Sequence, residues 1–351
     1  MKISRARFLQ LSLATATAGL LSACSTGSGD SASSTAPSAN TGGEYTVRHA
    51  FGSTTFKQVP QRIAVVQPWK NPDVLLALGI IPAGVPVVSW GQNSNDSTDW
   101  FDAKLSELGG KLDDITRYSE TDGPNYEELA KLDPDAIFVP YGDTSQEVYD
   151  KLSAIAPVVP APEGVGAYET SWQQCLEMAG AMLRREDDAA QVIENTEKLI
   201  AQKVKDFPTI KGASFMAGYF DVEQNTFGAY TSKDSRPQFF ESLGMVNAPY
   251  IVEHEAGAES VFLNISSEVL DTVECDVLWA WTNSSDEEAA VRENKLFAQM
   301  PALKNDAVIF EYDKHPGLAL SAASPLSVAW ILEETTLLEN LADAVAHTRA
   351  A

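Results

Sequence analysis

Short apolar runs rich in β-branched residues alternate with amphipathic stretches along most of this chain. In the first half the apolar runs lie at 63–66, 85–88 and 136–139, and amphipathic stretches lie at 73–78 and 147–155. Strand-like runs that alternate with helical patterns are typical of α/β proteins. We therefore predict an α/β fold.

One segment interrupts this alternation near the middle of the chain. Residues 171–207 contain no Pro and a single Gly, and their apolar residues keep roughly helical spacing. We predict one or two helices here that join an N-terminal α/β lobe, residues 44–170, to a C-terminal α/β lobe, residues 208–351. In the second lobe the pattern predicts a closing helix from Pro325 to about Ala346.

The two predicted lobes share an internal echo. A shift of 141 positions lays residues 127–135 onto residues 268–276, and a strand-like apolar run follows in both cases. A second match, 78–79 with 243–244, ends an amphipathic stretch in each half with a Gly suited to the left-handed cap position. Both lobes are therefore predicted to carry the same helix-turn-strand unit.

The N-terminus has the pattern of a lipoprotein signal peptide. A basic start precedes an apolar run at 8–21, which is shorter than the roughly 20 residues of a membrane span. Small residues then precede Cys24, as cleavage requires. We predict a signal peptide over residues 1–24 and lipidation of Cys24, which would anchor the protein to the membrane outside the cytoplasm. The Sec and Tat export routes both fit.

A segment rich in Ser, Thr, Gly and Ala follows the predicted anchor. Residues 25–43 contain no aromatic side chain, and such a composition cannot form a core. We predict a flexible tether with a reach of about 24 Å.

Charge and cysteine content limit the partners further. The formal net charge of −24 repels phosphate backbones, so we expect no nucleic-acid partner.

Cys175 and Cys275 could pair in an oxidising compartment, but their spacing does not fix their distance. A disulfide and two buried free thiols both remain open.

Six short motifs occur in a specific order along the chain. They lie at 62–66, 73–79, 125–137, 149–157, 301–305 and 324–327. Together they resemble the solute-binding lipoproteins of iron-siderophore and vitamin B12 ABC importers, over nearly all of residues 44–346. The resemblance implies two α/β lobes joined by a long α-helix, with a ligand cleft between them. It also implies a monomer that captures a ferric siderophore and delivers it to an ABC permease.

Permease docking in this family resembles a two-point contact. One exposed Glu on each lobe meets arginines of the transmembrane subunits, and Glu127 and Glu268 match those positions. The internal echo makes these two acids equivalent, as a roughly two-fold partner requires. The alternative is that both merely favour a helix dipole.

A ferric siderophore is bulky, partly aromatic or amide-rich, and often anionic around the metal, so its receptor needs flat aromatic walls and a few cations. Candidate ligand-binding residues occupy the loops expected to face the cleft. They are Trp69, Trp90, Arg117, Tyr118 and Tyr141 in the first lobe, and Tyr219, Arg236, Trp281 and His315 in the second. For the aromatic residues the alternative is core packing.

Arg236 is the strongest of these candidates. It lies in the motif Asp234-Ser235-Arg236-Pro237, where similar family members often place a ligand arginine. A guanidinium donates in pairs to oxygen-rich groups and remains charged. The alternative is a surface ion pair with Asp234 or Glu241.

Other functional classes find little support. The four histidines are too dispersed to hold a naked metal ion, so we expect no direct metal ligands and no cofactor, with iron entering only inside a bound siderophore. No nucleophile elbow, phosphate loop, dinucleotide fingerprint or HExxH motif occurs, so we expect no enzyme. Haem or a corrinoid is the alternative ligand. Haem often takes an axial Tyr or His, which keeps Tyr141 and His315 relevant.

Overall fold

The computed structural model describes residues 43–257 and 261–350. The predicted signal peptide, Cys24 and all but the last residue of the predicted tether lie outside these residues. Within the described ranges, no helix combines the length and apolar character needed to cross a bilayer.

The N-terminal lobe contains a β-hairpin and a five-stranded parallel sheet with the order β5–β4–β3–β6–β7. Its strands are β1 (Tyr45–His49), β2 (Gly52–Phe56), β3 (Ile63–Val65), β4 (Gly84–Pro86), β5 (Thr116–Tyr118), β6 (Ala136–Val139) and β7 (Val158–Pro160). Its helices are α1 (Lys70–Ala77), α2 (Asp99–Glu107), α3 (Tyr126–Leu132) and α4 (Gln146–Ser153), with a 3₁₀ turn at Leu112–Asp114.

The segment predicted to join the lobes forms two helices, α5 (Trp172–Leu183) and α6 (Glu186–Val204). Ser171 begins α5 with a capping box, in which its hydroxyl accepts from the N–H of Gln174 and the Gln174 side chain accepts from the N–H of Ser171. Arg184 ends α5 in the left-handed conformation, with φ of 54°, and so breaks the helical path between the two. The single long α-helix that the resemblance implies is therefore corrected to two helices.

The C-terminal lobe is built on a mixed six-stranded sheet with the order β11–β9–β8–β12–β13, and β10 pairs with the start of β8. Its strands are β8 (Ser214–Asp221), β9 (Thr226–Tyr230), β10 (Val246–Asn247), β11 (Phe262–Ser266), β12 (Val277–Trp281) and β13 (Val308–Glu311). The strands β9 and β11 run antiparallel to their neighbours, and the others are parallel.

The described part of the C-terminal half contains seven α-helices. They are α7 (Ser235–Ser242), α8 (Pro249–His254), α9 (Ser285–Glu293), α10 (Pro301–Lys304), α11 (Lys314–Ala322), α12 (Pro325–Glu334) and α13 (Leu337–Ala350), with 3₁₀ turns at Glu255–Gly257, Ser267–Thr272 and Phe297–Gln299. The prediction of one closing helix from Pro325 is wrong in one respect. Thr335 adopts an extended conformation, with φ of −119° and ψ of 167°, and separates α12 from α13.

The internal echo corresponds to a repeated arrangement of hydrogen bonds. Asp135 accepts the backbone N–H groups of Gln61 and Arg62, each at 2.8 Å, just before β6. Asp276 accepts the backbone N–H of Ser214 at 2.7 Å, just before β12. In both lobes, therefore, an aspartate fixes the start of a neighbouring parallel strand.

Matching caps end the first helix of each unit. Gly79, with φ of 75°, and Gly244, with φ of 84°, both stand at the left-handed position after α1 and α7. The residue after each Gly donates its N–H to a carbonyl five residues earlier, at 2.9 Å for Ile80 and 3.3 Å for Met245. Both ends are Schellman caps, a conformation that Gly adopts without steric cost.

One hydrophobic core extends through both lobes. It joins Val65 and Phe138 of the first sheet to Phe215 and Trp279 of the second. Two smaller cores each belong to a single lobe and cover the other face of each sheet. The α/β fold class predicted from the sequence is confirmed.

Cys175 and Cys275 are both buried free thiols. Cys175 belongs to the shared core, whereas Cys275 belongs to the core of the C-terminal lobe. Burial raises the pKa of both thiols to about 12, which makes them poor nucleophiles at neutral pH. Of the two possibilities that the sequence leaves open, the structure has the free thiols.

Candidate functional site

A cleft lies between the lobes at the carboxyl ends of the parallel strands of the first sheet, where open α/β sheets commonly bind ligands. It consists of two adjoining cavities. The aromatic cavity has a volume of about 230 Å³, and the polar cavity has a volume of about 490 Å³. Trp69 and Trp90 line both of them, so the two cavities form one continuous site.

Side chains from both lobes form the aromatic cavity. They include Trp69, Trp90, Tyr230, Arg236, Trp281 and Ser321. The rings of Trp90 and Trp281 meet edge to face, with centroids 5.0 Å apart, across the lobe boundary. Gly317 allows this approach, because a Cβ there would lie 2.8 Å from the Trp281 ring.

The polar cavity is formed by the loops that follow β3 to β6. Its lining includes Gln67, Ser119, Glu120, Asp143 and Tyr168. Glu120 accepts the backbone N–H of Gln67 at 2.8 Å on Oε2, whereas its buried Oε1 has no hydrogen-bond partner. Burial raises the pKa of Glu120 to about 7.

The loop after β3 has an unusual backbone. Gln67 and Trp69 have φ of 66° and 77°, a region that bulky residues rarely adopt. Asn71 holds this loop to the one after β6: its Nδ2 donates to Val66 O at 2.9 Å and to Tyr141 O at 2.7 Å. The strained conformation thus places the half-buried Trp69 ring between the two cavities.

Arg236 is a cavity residue and also part of a buried ion pair. Its Nε and Nη2 each donate to one oxygen of Asp234 at 2.7 Å, and the side chain of Asp234 is only 3% exposed. The guanidinium carbon lies 3.5 Å from the centroid of the Tyr230 ring. Nη1 lies 3.5 Å from Ser321 Oγ, which leaves this nitrogen available to a ligand oxygen.

Buried polar contacts join the lobes directly behind this site. Lys70, which follows Trp69 in the chain, is fully buried. Its Nζ donates to Thr170 O and to Ser235 Oγ, each at 2.9 Å, and lies 4.3 Å from the centroid of the Tyr141 ring. The hydrogen bond from Lys70 to Ser235 therefore connects the residue after Trp69 to the residue before Arg236.

Two of the predicted ligand residues lie in the interior instead. Tyr118 is 3% exposed and donates its hydroxyl to Val65 O, which leaves no surface for a ligand. Tyr141 is also 3% exposed and packs between Lys70 and the Tyr168 ring. The prediction of ligand contacts at Tyr118 and Tyr141 is therefore corrected: their side chains support the cleft from behind.

Three other predicted residues lie near the cleft but hold protein groups. Arg117 donates to Asn95 O at 2.6 Å and to Asp96 O. His315 Nδ1 lies 2.6 Å from Gly91 O, and its ring packs against Trp100 and Trp330. The half-buried Tyr219 packs beside Tyr230. The structure thus brings Trp69, Trp90, Arg236 and Trp281 together at the aromatic cavity and leaves these three outside its wall.

Several cavity residues are not predicted from the sequence. Tyr230 ends an antiparallel strand that the helix-strand alternation does not reveal, and Ser321 lies within α11. Glu120 lies two residues after β5, in the loop that follows this strand. Among the described residues, no group of three or more His, Cys, Asp or Glu side chains is placed to hold a metal ion.

The acids predicted to contact a permease are both on the surface. Glu127 lies in the first turn of α3, with its side chain 79% exposed and 2.8 Å from Lys131 Nζ. Glu268 is exposed in the 3₁₀ turn before β12, where Ser266 Oγ accepts its backbone N–H at 3.3 Å. The two acids occupy corresponding places before corresponding strands.

Two α/β lobes around a cleft walled by tryptophans and one paired arginine define a solute-binding protein. A family model described as periplasmic binding protein matches residues 65–314. The chain belongs to this family, in the group of ABC-importer binding proteins typical of iron-siderophores and vitamin B12.

Relatives and solved structures agree with this assignment. The Probable siderophore-binding lipoprotein YfiY of Bacillus subtilis is 29% identical over 288 residues, which cover 80% of this chain and 79% of YfiY. The crystal structure of Streptococcus pneumoniae PiaA in complex with ferrichrome is 30% identical, with a TM-score of 0.77, and covers 86% of this chain and 99% of PiaA. A second PiaA crystal structure, also 30% identical, covers the same 86% of this chain and all of PiaA (100%), with a TM-score of 0.75. These relatives are named as binding proteins rather than enzymes.

Proposed function

We propose that this protein captures a ferric siderophore in its cleft and delivers it to an ABC permease. The observation that carries the proposal is the aromatic cavity, where Trp69, Trp90 and Trp281 stand beside Arg236. Flat rings offer large apolar contact to a bulky chelate, and Arg236 Nη1 can donate to one of its oxygens. The names of YfiY and of the PiaA complex support the ligand class. Binding is the whole chemistry, and iron enters as cargo without a resident cofactor.

A ligand panel tests the proposal. Because four tryptophans, Trp69, Trp90, Trp279 and Trp281, line the aromatic cavity, binding of a ferric chelate should quench the intrinsic fluorescence. We expect a submicromolar response to at least one of ferric hydroxamate, ferric catecholate and ferric citrate, with a much weaker response to the iron-free chelator. A submicromolar response to haem or cobalamin alone would contradict the proposal of a siderophore ligand and favour the alternative ligands.

We further propose that Cys24 carries a lipid anchor outside the cytoplasm and that Glu127 and Glu268 contact the permease. Both acids are exposed on corresponding elements of the two lobes. Arginine at both positions would face the permease arginines with like charge, which costs several kcal/mol at an interface. We expect Glu127→Arg with Glu268→Arg to reduce iron-siderophore uptake by cells at least tenfold, and ligand affinity to stay within twofold.

A matched variant controls for the loss of charge. Glu147 also lies in the first turn of a helix, with its side chain 77% exposed and 2.7 Å from a lysine four residues later, and Glu274 is exposed in the second lobe. Glu147→Arg with Glu274→Arg should leave uptake unchanged. Equal uptake loss in both double variants would refute specific docking. Recovery of every variant in the membrane fraction checks the anchor, and release into the medium contradicts it.

A further inference from the structure

The polar cavity has a one-sided charge. Glu120 and Asp143 line it, and no Lys, Arg or His is among its described lining residues. The other polar side chains at its wall are the amide of Gln67 and the hydroxyls of Ser89, Ser119, Thr121, Thr144 and Tyr168. A ligand group that enters this cavity therefore meets negative charge with no basic side chain at the wall to offset it.

The aromatic cavity does not compensate for this charge. Its one cation among the described lining residues is Arg236, and both oxygens of Asp234 are bonded to that guanidinium at 2.7 Å. The pair is therefore neutral overall, and Arg236 acts as a hydrogen-bond donor rather than as a free positive charge. With a net charge of −24 on the whole chain, the continuous cleft as a whole is electronegative.

Ferric chelates differ in charge by their donor groups. Three hydroxamates balance the charge of ferric iron and give a neutral complex, whereas three catecholates leave a trianion and ferric citrate complexes are anionic. A like-charge contact in a partly desolvated cleft is strongly unfavourable. The lining of this cleft therefore separates the siderophore classes.

We propose that the cleft selects neutral or cationic ferric tris-hydroxamates and rejects anionic ferric catecholates and carboxylates, with Glu120 and Asp143 as the residues that set this selectivity. The inference rests on the proposed siderophore function and narrows it to one substrate class. Glu120 is the inner charge of the pair, since its Oε1 is buried without a partner. Asp143 is exposed at the cavity rim, where an approaching chelate meets it first.

The test is calorimetric titration at pH 8 with ferric chelates of defined charge. Burial raises the pKa of Glu120 to about 7, so this pH keeps its carboxylate ionised. The probes are neutral ferrichrome, cationic ferrioxamine B, its neutral N-acetylated form and trianionic ferric enterobactin. We expect the trianion to bind at least about 100-fold more weakly than ferrichrome. Ferrioxamine B should bind at least as tightly as its acetylated form.

Variants assign the selectivity to residues. Asp143→Asn and Glu120→Gln should each lower the ratio of ferrichrome affinity to enterobactin affinity about tenfold, because each removes one repulsive charge. Asp143→Asn alters an exposed rim residue, so it keeps the test valid if Glu120→Gln fails to fold. Glu197→Gln removes the same charge from the exposed face of α6 and should leave the ratio unchanged.

The possible failures are distinguishable. Enterobactin binding as tight as or tighter than ferrichrome binding overturns the selectivity and leaves the siderophore function standing. The selectivity is also overturned if Asp143→Asn and Glu120→Gln change the ratio of ferrichrome affinity to enterobactin affinity no more than Glu197→Gln does. Binding of none of the ferric chelates overturns the siderophore function and, with it, this inference.

Discussion

Arg236→Ala is expected to lower the free energy of unfolding by about 3 kcal/mol and to abolish measurable ferric-chelate binding. The guanidinium neutralises Asp234, whose side chain is 3% exposed. Its removal leaves a buried carboxylate without a counter-charge. A buried unpaired charge is one of the few causes of so large a loss of stability from a single substitution. Urea denaturation measures the first effect and fluorescence titration the second.

A second substitution separates the structural role of Arg236 from its ligand role. Asp234 also begins α7, where its Oδ1 accepts the backbone N–H of Arg236 at 2.9 Å. Asn caps a helix about as well as Asp and carries no charge. Arg236→Ala with Asp234→Asn should therefore recover most of the lost stability while ligand binding stays lost. Recovery of binding together with stability would show that Arg236 only supports the fold.

The contribution of α1 to the free energy of unfolding is expected to be smallest between about pH 7 and 8, because this helix buries both an acid and an amine. Asp73 is 1% exposed and accepts from Ser324 Oγ at 2.5 Å and from Trp100 Nε1 at 2.8 Å. Burial raises its pKa to about 7, from about 3.9 in an unfolded chain. Between these values the folded state holds a proton that the unfolded state releases, so stability falls as the pH rises. Between pH 5 and 7 the free energy of unfolding of the wild type should fall by about 2 kcal/mol relative to that of Asp73→Asn.

Lys70 has the opposite effect at alkaline pH. Burial lowers its pKa to about 8, from about 10.4 in an unfolded chain. The folded state therefore loses its proton first, and stability rises with pH until the unfolded chain also deprotonates. Between pH 8 and 10 the free energy of unfolding of the wild type should rise by about 2 kcal/mol relative to that of Lys70→Met. Urea denaturation across pH 5–10 measures both arms, and parallel curves for wild type and variants would contradict the buried charges.

The sequence predicts most of the regular elements, because their signals are local. The bounds of β6 agree with the apolar run at 136–139, and β12 begins directly after the repeated segment 268–276, where a strand-like run is predicted. Gly79 and Gly244 end their helices as their positions suggest. The antiparallel strands β9 and β11 are missed because their pairing depends on contacts that no local period encodes.

The candidate site is predictable only where a side chain lies at the last residue of a strand or in the loop that follows it. Trp69, Trp90 and Trp281 occupy such places, and the structure puts all three at the cavity. Tyr118 and Tyr141 also end or follow strands, but adjacent residues of a strand point to opposite faces and a three-residue strand gives no period from which to choose. Lys70 and Asp73 could not be predicted at the lobe boundary, since charged residues are rarely fully buried.

The shared core has a consequence for the order in which this chain can fold. Helix α12, near the C-terminus, packs against α1, α2 and α6, and Ser324 at its start bonds Asp73 of the first lobe. The N-terminal half therefore lacks part of its own interior until the last residues have arrived. Because synthesis proceeds from the N-terminus, we expect both lobes to reach a stable state only when the whole chain is present. A fragment that stops before residue 324 should be degraded by cellular proteases, and only full-length chains should accumulate.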